Sequence, residues 1–167
     1  MTKRAGLQPL VRWLLRLPVH LYDWNAGWLL GKRFAMLVHT GRRTGLTRKT
    51  VLEVVHYDTV TGAVVVMSGL GRSSDWYQNI KAKEASQVVV GRHSFAPTHW
   101  DVPDDEADDV LTDYEQRNRF AAPVVRWVLS RLVGWRYDGT NDSRRRLVQE
   151  LPLVCFSPVD PAITSPS

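Results

Sequence analysis

The alternation of hydrophobic and polar positions predicts strands that pair as hairpins. Residues 34–40 are apolar and then polar, and residues 47–57 are rich in β-branched side chains, both patterns typical of strands. A turn at 58–62 separates the second run from the apolar residues 63–67, which predicts a hairpin. Further strands are predicted over 87–91, 94–101 and 153–156. On one face of the 47–57 strand we expect Lys49, Val51, Glu53 and Val55, and on the other face Arg48, Thr50, Leu52, Val54 and His56.

Helical signals fall between these hairpins. Ser73 or Ser74 can cap a helix that runs through Ala82, and Pro103 precedes a second helix with apolar residues at helical spacing. Pro123 lies early in a third helix, and residues 143–150 form a fourth that Ser143 can cap. Hairpins with helices between them predict an α+β fold around an antiparallel sheet, and about six strands favour a small closed or split β-barrel.

The same pattern divides the chain into three parts. Residues 1–33 form a segment whose stripe of leucines and valine at helical spacing predicts an amphipathic helix ended by Pro18. Residues 34–158 form the barrel domain, a single unit as the length of 167 residues suggests. Residues 159–167 are expected to be a frayed tail.

Charge and cysteine content narrow the class of protein. Residues 1–50 hold ten Lys and Arg against one acid, Asp23, so this part can meet an anionic partner. The single Cys155 excludes an internal disulfide and a cysteine-based zinc site, and the five histidines show no metal-ligand spacing. No apolar run reaches the length of a transmembrane helix, and no signal peptide is predicted. These features favour a cytoplasmic protein without a bound metal.

The most informative local segment is the loop 40–50, Thr-Gly-Arg-Arg-Thr-Gly-Leu-Thr-Arg-Lys-Thr. It carries four cations and four threonine hydroxyls in eleven residues between two predicted strands. Glycines permit a tight turn, and guanidinium groups and hydroxyls suit phosphate oxygens. The spacing matches neither a Walker loop nor Gly-x-Gly-x-x-Gly. From spacing alone, a phosphate site and an ordinary basic turn both stay open.

A second segment, 67–79, joins a strand to a helix through glycines: Met-Ser-Gly-Leu-Gly-Arg-Ser-Ser-Asp-Trp-Tyr-Gln-Asn. A helix N-terminus favours anions and polar ring edges. Trp76 and Tyr77 could form the wall of a site for a planar ring. The alternative is a capped helix that packs both aromatic rings into the core.

Together, the two segments resemble the deazaflavin (coenzyme F420)-dependent nitroreductase family. The similarity spans roughly residues 34–101, with the strand Leu-Pro-Leu-Val-Cys at 151–155. It implies a split β-barrel of the flavin-reductase kind that binds F420 with its phosphate and glutamyl tail on the basic loop. Residues 102–136 form a longer helical segment than the resemblance implies.

The resemblance also implies the residues of the site. In the first segment, the implied cofactor-binding residues are Arg42, Arg43, Thr44, Arg48, Lys49, Thr50 and Val51. In the second segment, they are Met67, Ser68, Gly69, Asp75, Trp76, Tyr77 and Asn79. Tyr137 falls near the active-site tyrosines of the family, so Tyr137 and Ser68 are the expected catalytic residues.

The implied activity is transfer of a hydride from reduced F420 to an electron-poor small molecule of the quinone, nitro or enone type. The cofactor supplies the redox chemistry, and Ser68 or Tyr137 could orient a ring or donate a proton. Three alternatives stay open: an FMN-dependent reductase of the same fold, a cofactor-binding protein without turnover, and nucleic-acid binding by the basic N-terminal third. The last alternative lacks any recognised motif, so no nucleic-acid partner is expected.

Two questions of assembly concern the whole chain. The N-terminal segment could pack over the barrel mouth as a lid, or it could lie on an anionic membrane surface. Its short apolar stripe favours packing, and its basic residues favour the membrane. The sequence leaves the oligomeric state open, with a homodimer among the alternatives.

Overall fold

The computed structural model describes residues 31–159. Seven strands form one sheet in the order β5-β4-β1-β2-β3-β7-β6, and all its described pairings are antiparallel. The strands are β1 (Phe34–Thr40), β2 (Thr47–Tyr57), β3 (Val64–Met67), β4 (Gln87–Val90), β5 (His93–Phe95), β6 (Pro97–Asp101) and β7 (Leu153–Pro158).

The two edge strands of this sheet are consecutive in the chain, so the sheet curls into a nearly closed barrel. β5 pairs with β4 and β6 pairs with β7, and only Ala96 lies between them. The backbone N–H of Val159 donates to the carbonyl of Ala96 at 3.0 Å. The predicted split-barrel α+β fold is confirmed. The single strand predicted over 94–101 is wrong, because the chain changes partner at Ala96 and Pro97 has no N–H to donate.

Within residues 31–159, four α-helices accompany the barrel: α1 (Asp75–Ala82), α2 (Asp104–Arg117), α3 (Ala122–Val133) and α4 (Asn141–Glu150). The predicted Ser143 cap is wrong, because Thr140 is the N-cap residue of α4 and its hydroxyl accepts from the Ser143 N–H at 3.3 Å. Among the described residues, no helix has the length and apolar content needed to cross a membrane.

The sheet separates two apolar cores. Leu37, Leu52 and Phe156 belong to the inner cluster, which α1 enters with Trp76 and Ile80. An outer cluster lies between the sheet and helices α2 to α4, where Leu111, Leu147 and Leu153 are almost fully buried. This arrangement explains why β2 has buried residues on both faces.

The domain boundaries remain predictions. The N-terminal segment 1–33 lies outside the described residues except for 31–33, and so does the predicted tail except for Val159. The choice between a lid and a membrane contact for that segment is therefore untested.

Candidate functional site

The basic loop between β1 and β2 is a tight turn held by its own backbone. Gly41 N–H donates to the Leu46 carbonyl at 2.8 Å, and Gly45 N–H donates to the Gly41 carbonyl at 2.8 Å. A side chain at Gly41 would place its Cβ 2.8 Å from Thr44 Oγ1. Gly45 has φ +67°, a conformation that glycine adopts without strain. The two glycines therefore fix a compact loop whose residues 43–49 are exposed.

Arg42 connects this loop to helix α1. Its backbone N–H donates to Asn79 Oδ1 at 3.0 Å. Its guanidinium Nη1 lies 3.1 Å from the same oxygen and 3.1 Å from Asp75 Oδ1. Asp75 is exposed, so this ion pair contributes little to stability. The buried Asn79 contact carries the connection, and it brings the two predicted cofactor segments together.

His39 extends this connection to β2. Because Asn79 Oδ1 accepts from the Arg42 backbone, the Asn79 amide nitrogen must face His39 Nδ1, 3.1 Å away. That nitrogen is a donor, so Nδ1 is the unprotonated acceptor. His39 Nε2 then carries the hydrogen and donates to Thr50 Oγ1 at 3.0 Å. The Thr50 hydroxyl can therefore donate its own hydrogen to another acceptor.

The charge state of His39 agrees with this hydrogen-bond pattern. Its side chain is buried, and burial lowers the pKa of His39 below its ordinary value, since desolvation penalises the charged form. The Arg48 charge lowers this pKa further, and Asp75 acts in the opposite direction. His39 is therefore a neutral, oriented imidazole at neutral pH.

Strand alternation divides the predicted residues of β2 between two sides of the sheet. Thr50 and Arg48 continue the face on which Leu52 packs in the inner core. Val51 is buried in a separate cluster on the other face, with Met36 and Val38, and Lys49 shares that face. The polar end of the inner face and the loop lie together at the barrel mouth, whereas Val51 lies apart from them.

Ser68 is fully buried, and its hydrogen bonds stabilise the turn in the second segment, residues 67–79. Its hydroxyl donates to the Gly71 carbonyl at 2.7 Å and lies 2.7 Å from Ser74 Oγ. Since the Ser68 hydrogen is committed to Gly71, Ser74 is the donor in this pair. Ser74 is the N-cap residue of α1, yet its side chain makes no capping bond. Met67 and Gly69, on either side of Ser68, are partly buried.

Both predicted aromatic residues of α1 pack into the inner core. Trp76 and Tyr77 are buried, and their rings meet edge to face with centroids 5.9 Å apart. The Tyr77 hydroxyl donates to Asp101 Oδ2 at 2.8 Å, and Arg72 donates to that hydroxyl at 3.0 Å. Their role beside a cofactor ring stays a prediction.

Tyr137 lies in the outer core, apart from the barrel mouth. Its ring is buried, and its hydroxyl donates to Glu115 Oε1. Arg144 holds the other oxygen of Glu115 at 3.1 Å. Burial raises the pKa of Tyr137, and Glu115 raises it further. The catalytic roles of Tyr137 and Ser68 stay predictions, and each hydroxyl donates its hydrogen to a protein acceptor.

His39 is the residue that the sequence analysis missed. His39 has no histidine or cysteine partner at metal-ligand spacing, so the sequence pattern alone gives it no functional role. The available signal was its place as the last inward residue of an apolar strand, immediately before the basic loop. Within the described part of the chain, no group of three metal-ligating side chains occurs.

Several solved structures have a fold similar to that of this chain. One is an F420-H2 dependent reductase, 17% identical, with 76% of this chain and 96% of that chain covered and a TM-score of 0.47. Another is related to a general stress protein of the pyridoxinephosphate oxidase family, from Clostridium acetobutylicum. It is 12% identical, with 84% of each chain covered and a TM-score of 0.42.

A family model gives the decisive comparison. The model for F420H(2)-dependent quinone reductase matches residues 14–122, which is more than half of the chain and includes both predicted cofactor segments. It thus selects F420 over the FMN alternative, and an enzyme over a protein without turnover. The chain belongs to the F420H(2)-dependent quinone reductase family, oxidoreductases whose cofactor is coenzyme F420.

Proposed function

We propose that the barrel mouth formed by the basic loop, the polar end of β2 and helix α1 holds the anionic part of F420 during reduction of a quinone-type acceptor. The observation that carries this proposal is the continuous hydrogen-bonded chain Arg42–Asn79–His39–Thr50. It joins the two cofactor segments into one rigid site.

The donors at this mouth fit a phosphate with a carboxylate tail. Arg43 and Arg48 are exposed, and neither forms an ion pair with a residue in 31–159. The Thr50 hydroxyl accepts from His39 and so has its hydrogen available for a phosphate oxygen. Charge-assisted hydrogen bonds of this type are short and strong. Lys49 and Val51 lie on the other face of β2, so we assign the anion to Arg43, Arg48 and Thr50.

When bound, F420 supplies the hydride, and the protein supplies position and charge. A quinone that takes up one hydride needs one proton to become a hydroquinone. Ser68 and Tyr137 already donate their hydrogens within the protein, so we assign that proton to solvent at the mouth. Ser68 then acts as a positioning residue, since it fixes the turn that leads to α1.

The proposed function is tested by titrating the purified protein with F420 and with FMN, followed by turnover with reduced F420. Acceptors from the three classes, a quinone, a nitroaromatic and an enone, are compared at equal concentration. We expect binding of F420 and fastest oxidation of reduced F420 with the quinone. Tight binding of FMN without binding of F420, or binding of F420 without turnover of any acceptor, would overturn the proposal.

Two further predictions concern the partners of this chain, and each has its own experiment. A homodimer is tested by light scattering during size-exclusion chromatography, with and without F420. Contact of the N-terminal segment with an anionic membrane is tested by vesicle flotation of Leu10→Gln/Leu14→Gln, which removes two apolar residues of its stripe. Unchanged flotation in this variant would exclude that segment as the anchor.

A further inference from the structure

Helix α3 and the turn before it carry large apolar side chains on their outer side. Phe120 is 89% exposed, Val124 64%, Trp127 57% and Val128 40%. These positions are spaced by four, three and one residues, so they form one stripe on the helix surface. We name these four residues the α3 ridge. The opposite side of the helix holds the buried Leu129 and Val133.

The chain segment that carries the α3 ridge is basic. Residues 116–137 include five arginines and no Asp or Glu. The Arg119 guanidinium lies 4.9 Å from the Phe120 ring centroid, and the Arg131 guanidinium lies 5.5 Å from that of Trp127. Cation–π contacts keep positive charge beside the exposed rings. Most of this segment lies beyond residue 122, where the family match ends.

We propose that the α3 ridge docks this protein on an anionic lipid surface. A helix that has aromatic and aliphatic residues on one stripe, with arginines beside it, is suited to bind in the plane of a membrane interface. The apolar side chains enter the headgroup region, and the arginines meet anionic headgroups. This surface is distinct from the N-terminal segment, and the proposal is independent of the proposed function.

Charge argues against the other partners that could cover the α3 ridge. A second copy packed on the same face would bring its arginines against those of the first, and like charges disfavour such contact. Residues 1–30 carry four Lys and Arg against one acid, so they too are basic. An anionic lipid surface is complementary to both features, because its headgroups match the arginines and its acyl chains match the apolar stripe.

The position of α3 gives such docking a consequence for the site. A Cβ at Gly69, in the second cofactor segment, would lie 3.6 Å from Leu132 Cδ1 on the inner side of α3. The helix that carries the ridge therefore contacts the segment that leads to α1. Docking would place the reductase next to apolar acceptors dissolved in the bilayer.

The first test measures co-sedimentation of the full-length protein with vesicles of phosphatidylcholine, with and without phosphatidylglycerol. We expect binding to the anionic vesicles only, with a loss at high salt. Val124→Gln/Trp127→Gln should weaken partition by about tenfold or more, and Arg119→Gln/Arg131→Gln by roughly thirtyfold. Val60→Gln, at a turn residue that is 92% exposed, is the control and should change nothing.

The second test locates the ridge directly with a spin label on Val124→Cys. Cys155 is buried, and burial raises the pKa of its thiol to about 11, so the label goes to position 124. We expect relaxation by oxygen to increase when anionic vesicles are added, with no increase for a label on Val60→Cys. Three outcomes would overturn the proposal: no binding to vesicles, binding that the ridge variants leave unchanged, or a label already protected without vesicles. In the last case, protection that rises with protein concentration identifies a second copy, and protection independent of it identifies this chain's own N-terminal segment.

Discussion

At the scale of single residues, His39 shows how a buried polar group can order a site. Both ring nitrogens have partners, on α1 and on β2, and a buried polar group needs such partners to avoid a large cost. A proton on Nδ1 would place two donors against each other at Asn79. The fold therefore favours the neutral form, and this preference links protonation to stability.

The first prediction concerns the pH dependence of unfolding. The pKa of His39 is lowered in the folded protein from 6.5, so below about pH 6.5 the unfolded chain binds more protons, and stability falls as pH falls. His39→Gln retains a donor and an acceptor but cannot titrate, so the contribution of His39 to this fall should disappear. Urea midpoints across the pH range measure it, with the exposed His93→Gln as control. Equal pH slopes in wild type and His39→Gln would contradict the assignment.

The second prediction separates two neighbouring arginines of the basic loop. Arg43 is exposed and forms no ion pair with an acid among the described residues. Arg43→Gln should therefore weaken F420 binding by roughly 1–3 kcal/mol and leave the free energy of unfolding unchanged. Arg42 holds Asn79, so Arg42→Gln should lower both affinity and stability. Isothermal titration and thermal melts report the two effects, and Arg92→Gln on the β4–β5 turn is the control. Wild-type affinity in Arg43→Gln would remove Arg43 from the anion site.

At the scale of elements, the sequence pattern predicted the paired strands well. The bounds of β1 and β2 agree with the prediction, because apolar runs between glycine turns define them locally. The break at Ala96 could not be predicted, since it depends on which strand each half pairs with. The buried side of α3 could not be predicted either, because Val124 and Val128 are exposed whereas the equally apolar Leu129 and Val133 are buried. Periodicity identifies a helix, but the neighbouring elements decide which stripe is buried.

The third prediction compares two turn glycines with the same backbone conformation. Gly45 has φ +67° and Gly71 has φ +69°, so alanine is strained at either position by about 1–2 kcal/mol. A Cβ at Gly71 would also lie 2.9 Å from the Glu150 carbonyl, whereas nothing lies within 4 Å at Gly45. Gly71→Ala should therefore lower the free energy of unfolding clearly more than Gly45→Ala, as chemical denaturation would show. Equal losses would mean that the α4 end moves away without cost.

At the scale of the whole molecule, the sheet keeps the candidate site and the helical layer apart. The barrel mouth collects residues from β1, β2 and α1, whereas Tyr137 belongs to the outer core with α2 and α4. The two segments that are predicted to bind the cofactor can be recognised in the sequence because each is contiguous. Their connection through His39, and the side of the sheet on which Tyr137 lies, come from long-range packing that no local pattern encodes.

The fourth prediction tests this separation through Tyr137→Phe. The variant removes the hydroxyl that donates to Glu115 and leaves the buried ring in place. Loss of one such partner costs about 1–2 kcal/mol, although Arg144 still holds Glu115. The melting temperature should fall, and turnover of a quinone with reduced F420 should remain within about twofold of wild type. Glu115→Gln keeps an oxygen for the Tyr137 hydroxyl but removes the ion pair with Arg144, so it should lower the melting temperature and leave turnover unchanged. If Tyr137→Phe instead lost turnover while its stability and F420 affinity were unchanged, Tyr137 would be a catalytic residue, and the helical layer would have to form part of the active site.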